Sequence, residues 1–341
     1  MKNITIVGCG FMGAMHAQAY AQIRGAKICA LVDNKPAAAA KSMRALGIVV
    51  PIFKDLETAL DKVETDAVDI CLPTPLHESA ALTAFGRKKA VFIEKPIALD
   101  LAAAKRIVAA AKKCGVAVQV GHCIRFWPEY QALVELFRSG RLGSLLSLSL
   151  QRRSPLPAHS IGGWLLDEDQ SGGAALDLHI HDTDFVLHLL GHPDAVTSSA
   201  TEDRNGISHI FTSYDFVDKA VVAEGGWNYP AKWGFQMAYQ AVFEKGTVEY
   251  DSAQGTFITQ GSSGKKPLPV RQPGIGTSQA KTGNISSLGG YYNELASFVS
   301  CLESGKMPVQ ATPQQATDSL RVTLAEIESA RKGRRVALNN T

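Results

Sequence analysis

Near the amino terminus the apolar run Ile4–Val7 leads directly into Gly8-Cys9-Gly10-Phe11-Met12-Gly13, and a helix-favouring segment follows. A strand, then G-x-G-x-x-G, then a helix is a demanding arrangement. The first glycine permits a tight turn. The second lets the backbone approach a pyrophosphate, and the third lets the helix pack closely on the strand. The amino end of the helix then presents N–H groups to phosphate. These requirements assign Gly8, Gly10, Phe11, Met12 and Gly13 to a dinucleotide cofactor. Asp33 lies 20 residues beyond Gly13, at the end of the next apolar run, where it can accept hydrogen bonds from an adenosine ribose. A carboxylate there repels a 2′-phosphate and no arginine follows it, so NAD is expected ahead of NADP; Lys35 offers a partial compensation.

The alternation continues. The runs Ile28–Val32, Val68–Leu72, Val91–Glu94 and Val116–Val120 are short, nearly continuous and β-branched, as parallel strands covered on both faces are. Between them lie the helical stretches Pro36–Leu46, His77–Arg87 and Asp100–Cys114. This predicts a doubly wound parallel sheet over residues 1–121. After Gly121 the pattern changes. A helix is predicted over Pro128–Ser139 and a strand over Leu145–Leu150. The better-alternating runs His209–Phe216, Ala220–Trp227 and Met237–Phe243 predict a largely antiparallel sheet with one covered face. Residues 122–341 are therefore assigned to a second, α+β domain. Its Gly-, Ser- and Pro-rich segment 252–290 reads as a long loop or hairpin excursion of the kind that forms lids. Two closing helices, Tyr291–Ser304 and Pro313–Lys332, are placed to pack back on the first domain.

Composition narrows the partners. At 341 residues the chain has length for about two domains. A net charge of +3 gives no electrostatic support to nucleic-acid binding. The six cysteines form no CxxC pair, and no apolar run reaches the ~20 residues that span a bilayer. A cytoplasmic protein with free thiols and no membrane partner is expected.

The chemistry-bearing residues sit where such a sheet would put them. Thr74-Pro75-Leu76-His77 follows a strand whose carboxyl end faces the ligand crevice, so Thr74, Pro75 and His77 are candidates to line the cofactor; His77 could equally just open the next helix. Glu94-Lys95-Pro96 ends the fifth strand. A lysine beside a positively charged nicotinamide ring is a poorer cation and a better relay for a hydroxyl proton. Further on, Asp177 and His181 are four apart in LDLHIHDTD, which puts them on one helical face. Histidine is the usual base near neutral pH, and the carboxylate can orient it. A zinc reading of His179 and His181 fails on spacing, since i,i+2 residues do not share a helical face; no metal is expected.

Taken together, GCGFMG, the Thr74-Pro75 turn, EKP at 94–96, GHCIRFWPEY at 121–130, GGAALDLHIHDTDF at 172–185, EKGTVEYD at 244–251 and YYNE at 291–294 resemble the Gfo/Idh/MocA oxidoreductases over most of the chain. The resemblance implies a Rossmann domain followed by an α+β domain with an open, largely antiparallel sheet that often makes oligomer contacts, hence a homodimer or homotetramer. It implies a cis Lys95–Pro96 bond and an NAD(P)-dependent hydride transfer at a hydroxyl carbon of a sugar, polyol or inositol. His181 would be the acid/base, with Lys95 and Asp177 in support. Glu94, Pro96 and His122 would flank the cofactor, and Arg125 would approach substrate. Arg153 and Trp164 are added as substrate candidates on side-chain chemistry. The family's turn residue two after the aspartate is often glycine; here it is His179, read as packing. Two rival activities stay open: an NAD-dependent glycosidase working by transient oxidation and elimination, and a non-catalytic nucleotide sensor.

Overall fold

The computed structural model describes residues 1–157, 160–273 and 288–338. It divides into two compact units. The first contains residues 1–126, 160–164, 273 and 288–318. Six parallel strands form its sheet: β1 (Lys2–Val7), β2 (Ala26–Val32), β3 (Ile52–Phe53), β4 (Ala67–Ile70), β5 (Ala90–Ile93) and β6 (Val118–Val120). Their order is β3-β2-β1-β4-β5-β6, so the strand order reverses between β1 and β4, where such sheets bind ligands. Five helices intervene: α1 (Phe11–Tyr20), α2 (Pro36–Ala45), α3 (Leu56–Lys62), α4 (His77–Gly86) and α5 (Leu101–Cys114). Every residue of β4 and β5 is buried, as expected of strands covered on both faces. Asp100 caps α5 by accepting the Ala103 N–H at 2.8 Å, and Gly115 ends it in the left-handed conformation. The late helix Gly289–Ser304 contributes Leu295, Phe298 and Val299 to the same core as Ile4, Tyr20 and Phe92.

The second unit contains residues 127–157, 165–272 and 319–338. Its nine strands are β7 (Leu145–Pro155), β8 (Ala195–Asp203), β9 (Gly206–Asp215), β10 (Ala220–Tyr229), β11 (Gln236–Phe243), β12 (Gly246–Asp251), β13 (Gly255–Gln260), β14 (Lys266–Pro267) and β15 (Val336–Ala337). The order is β14-β13-β12-β11-β7-β10-β9-β8-β15. Every pair is antiparallel except the central β7–β10 pair. The helices are α6 (Pro128–Ser139), α7 (Glu168–Ser171) and α8 (Ile180–Leu190). The Gly289–Ser304 helix is α9, and the last, α10 (Pro313–Lys332), begins in the first unit and ends in the second. Of the loop or hairpin excursion expected over 252–290, the first part is hairpin, because β13 pairs with β12 and β14 with β13. Within that reading, 274–287 lie outside the described residues.

Candidate functional site

The turn after β1 is closed to any side chain. Gly8 has φ +93°, and a Cβ there would lie 2.5 Å from the Cys71 carbonyl oxygen. A Cβ on Gly13 would lie 1.9 Å from the Gly8 carbonyl oxygen. Gly10 caps α1 in an extended conformation with no side-chain hydrogen bond, at the helix end that attracts an anion. Asp33 is held at the end of β2: its carboxylate accepts the Cys9 N–H at 3.0 Å and the Lys35 N–H at 2.8 Å. Burial, reinforced by Asp33, pushes the Cys9 thiol up to about 12, so it stays neutral. Thr74 is buried and Pro75 exposed just past β4. These residues fit a dinucleotide. The amides of Gly10, Phe11 and Met12 would meet its diphosphate, and Asp33 its ribose.

Lys95 follows β5, half-buried, and the Lys95–Pro96 bond is cis, as the resemblance implied. Its neighbours are oriented inward. Glu94 turns beneath it: one carboxylate oxygen accepts the Lys95 N–H at 3.1 Å, and the other lies 3.0 Å from His16 Nε2. His16 Nδ1 donates to Asp69 at 2.8 Å. Glu94 thus supports the lysine from below. His77 likewise points inward, its ring nitrogens 2.9 Å from the Pro96 carbonyl and 2.8 Å from that of Leu72. Burial pushes its pKa down, against the pull of those two carbonyls. It ties the β4 turn to Pro96, so its contribution to the cradle is through the backbone. His122 is fully buried. Arg125 is also buried and donates to Gln315 at 2.9 Å, which binds it to the start of α10. Among the described residues, two groups have metal-type ligand atoms within 4.8 Å of one another, His16 with Asp69 and Cys71, and His16 with Glu94 and Glu294. Both centre on an imidazole whose Nδ1 is already engaged by Asp69.

In the second unit Asp177 and His181 sit one turn apart. Asp177 lies within a π-turn, Ala175–His179, that runs into α8, and His181 is in the first turn of α8. Wide turns of this kind recur at functional sites. Asp177 is half-buried and His181 is 9% exposed. The intervening His179 goes the other way, into the sheet. Its Nε2 lies 3.1 Å from Thr212 Oγ1 and 3.4 Å from Glu326. It fits because Gly225 of β10 leaves room: a Cβ there would come within 2.8 Å of His179. The packing role expected for His179 is what the geometry gives it.

Two adjacent arginines separate at this sheet. Arg153 pairs with Glu224 and Arg152 with Asp182, beside His181, through hydrogen bonds of 2.8 and 3.1 Å. Successive residues of a strand face opposite sides. Arg153, the expected substrate contact, therefore lies on the face away from the π-turn and α8. Arg152, which sequence reasoning passed over, anchors the helix carrying His181. The signal was present in the alternation of β7, but the face could not be assigned before the partner of each arginine was known. Trp164 is half-buried and groups with the first unit. Trp227 is core, at 1% exposure.

Comparison with known proteins gives the family. Residues 2–122 match the oxidoreductase family with an NAD-binding Rossmann fold, and residues 130–249 match the GFO/IDH/MocA C-terminal domain. The chain belongs to the Gfo/Idh/MocA family of oxidoreductases, and its first unit is that family's NAD-binding Rossmann domain. It is 30% identical over 265 residues to an inositol 2-dehydrogenase of Arthrobacter sp. (strain FB24), covering 75% of each chain. It is 26% identical over 343 residues to an inositol 2-dehydrogenase of Rhizobium meliloti (strain 1021), covering 98% of each. Among solved structures, levoglucosan dehydrogenase in complex with NADH and levoglucosan has the same fold, with a TM-score of 0.83, 20% identity, and coverage of 99% of this chain and 100% of that one.

Proposed function

We propose that this oxidoreductase acts on a hydroxyl-bearing carbon of a cyclic polyol or sugar, with an inositol as the first substrate to try. Bound NAD supplies the hydride acceptor. Lys95 and His181 then handle the hydroxyl proton, with His181 as the acid/base and Asp177 orienting it. The observation that carries the reading is the pair of oriented sites. In one unit a lysine is fixed at the carboxyl end of β5, beside a glycine cradle; in the other, Asp177 and His181 are set one turn apart. The inositol dehydrogenases among the relatives support the substrate class. The fixed carboxylate of Asp33 supports NAD over NADP.

The test is nicotinamide absorbance with NAD or NADP and a panel of inositols, aldoses and sugar acids. Reduction by the wild type is expected to fall about 10²- to 10⁴-fold in Lys95→Ala and in His181→Ala. Loss of less than twofold in both would overturn the assigned roles. Cofactor binding with release of sugar from an aryl glycoside, and without net NADH, would favour the transient-oxidation reading instead.

The same reading makes the chain a cytoplasmic homodimer or homotetramer. Its support is six free cysteines, together with Phe211 and Val222 exposed on the sheet face opposite α8. Sedimentation equilibrium checks the assembly, and a monomer at micromolar concentration would refute it.

A further inference from the structure

Beneath Lys95 lies a group of ionisable side chains that the proposed chemistry leaves without a task. His16 comes from α1, Asp69 from β4, Glu94 from the end of β5 and Glu294 from α9. None is more than 5% exposed. Burial works against a His16 cation, but the Asp69 carboxylate overrides it and holds the imidazole's pKa well above the usual histidine value. Glu294 is pushed the other way. Burial, then the charge of Glu94, keeps its carboxyl well above the ordinary range and therefore protonated. One imidazolium thus lies between two carboxylates, with a neutral acid beside them.

Glu94 reaches from this group toward Lys95. Glu94 meets His16 with one oxygen, at 3.0 Å, and accepts the Lys95 N–H with the other, at 3.1 Å. Gly121 leaves the space for it, since a Cβ there would lie 3.0 Å from Glu94 Oε1. An apolar core of equal volume would stabilise the unit at least as well as these buried charges. What the cluster adds is a single allowed orientation for the Glu94 carboxylate.

We propose that His16, anchored by Asp69, is a positioning residue for Lys95: its ion pair with one oxygen of Glu94 turns the carboxylate so that the other oxygen receives the lysine's amide and fixes the point from which that side chain departs. This rests on the reading of Lys95 as a proton-handling residue. His16 itself touches neither cofactor nor substrate in this scheme.

His16→Gln tests it, because a glutamine amide cannot span both carboxylates. With NAD and the best panel substrate, kcat is expected to fall ten- to a hundredfold, the scale of a roughly 1 Å misplacement. The KM for substrate and the Kd for NADH should stay within threefold. A second readout needs no turnover: trinitrobenzenesulfonate labelling of Lys95, resolved by peptide mass spectrometry, should quicken at least threefold, with exposed Lys112 as the internal control. A merely structural role would leave the labelling of Lys95 unchanged relative to Lys112, and that result overturns the proposal whatever happens to kcat. Lys95→Ala is run alongside. If it keeps its turnover, the catalytic reading falls and labelling alone judges the positioning. If it loses turnover while His16→Gln keeps full kcat, the positioning is overturned. Should His16→Gln fail to fold, Glu94→Gln retains the shape with one acceptor fewer. The same kcat loss and faster labelling are expected there, and wild-type values for either refute the positioning.

Discussion

The two units hold their reactive side chains by different electrostatic means. Under Lys95 there are more acids than bases: Asp69, Glu94 and Glu294 share one histidine, and the arrangement is neutral enough to bury only because Glu294 keeps a proton. Behind Asp177 and His181 a matched pair does the holding. Arg152 and Asp182 form a two-bond pair, while His179 lies between the hydroxyl of Thr212, which in turn bonds Ser198 at 2.8 Å, and the buried Glu326. A surplus of acid ties geometry to proton occupancy, whereas the Arg152–Asp182 pair is indifferent to pH across the neutral range. The cluster under Lys95 should therefore respond to alkali before that pair does.

The largest test unbalances the matched side. Arg152→Met leaves Asp182 buried without its partner, and breaking such a pair costs about 3–5 kcal/mol. Urea unfolding should show that loss, and a change below about 1 kcal/mol would mean that the pair does not anchor α8. Next is steric: Gly225→Ala drives a methyl group into His179, for an expected cost of about 1–3 kcal/mol. Adding His179→Ala should return most of that loss, and simple additivity of the two changes would show that they do not meet.

The smallest effect runs in the opposite direction. The raised carboxyl pKa of Glu294 means that the folded chain binds a proton the unfolded chain releases above the ordinary carboxylate range. Its contribution to stability is complete in acid and declines as pH rises. Glu294→Gln mimics the neutral acid without that decline. Its melting temperature should exceed that of the wild type at pH 8 and converge with it near pH 4. A variant less stable at both would show that Glu294 is ionised in the fold.

Much of this was legible from local pattern. The glycine turn, EKP and the Asp177–His181 spacing each fall within a few neighbouring residues, so the sequence displays them whole. The parallel strands showed as apolar runs, although β3, at two residues, was too short to register. What escaped was whatever depends on partners far along the chain. His16 reads as one polar residue on an apolar helix until Asp69 and Glu94 are brought to its two nitrogens. The inward partners of Glu94, His77 and Arg125, each a residue or carbonyl of the first unit, lie outside any local pattern in the same way. The alternation of β7 was visible, but alternation says only that two arginines part company, not which one meets α8.

The neighbouring glycines of β10 have a consequence for descent. Gly225 clears one face of the sheet for His179, and Gly226 clears the other for His209, which a Cβ would approach to 2.5 Å. A lineage can lose either imidazole first and later fill the gap with a larger residue on the strand. The reverse order passes through a destabilised ancestor, because the enlarged strand residue would meet the ring before the ring had gone. The strand thus favours one order of substitution at these four positions.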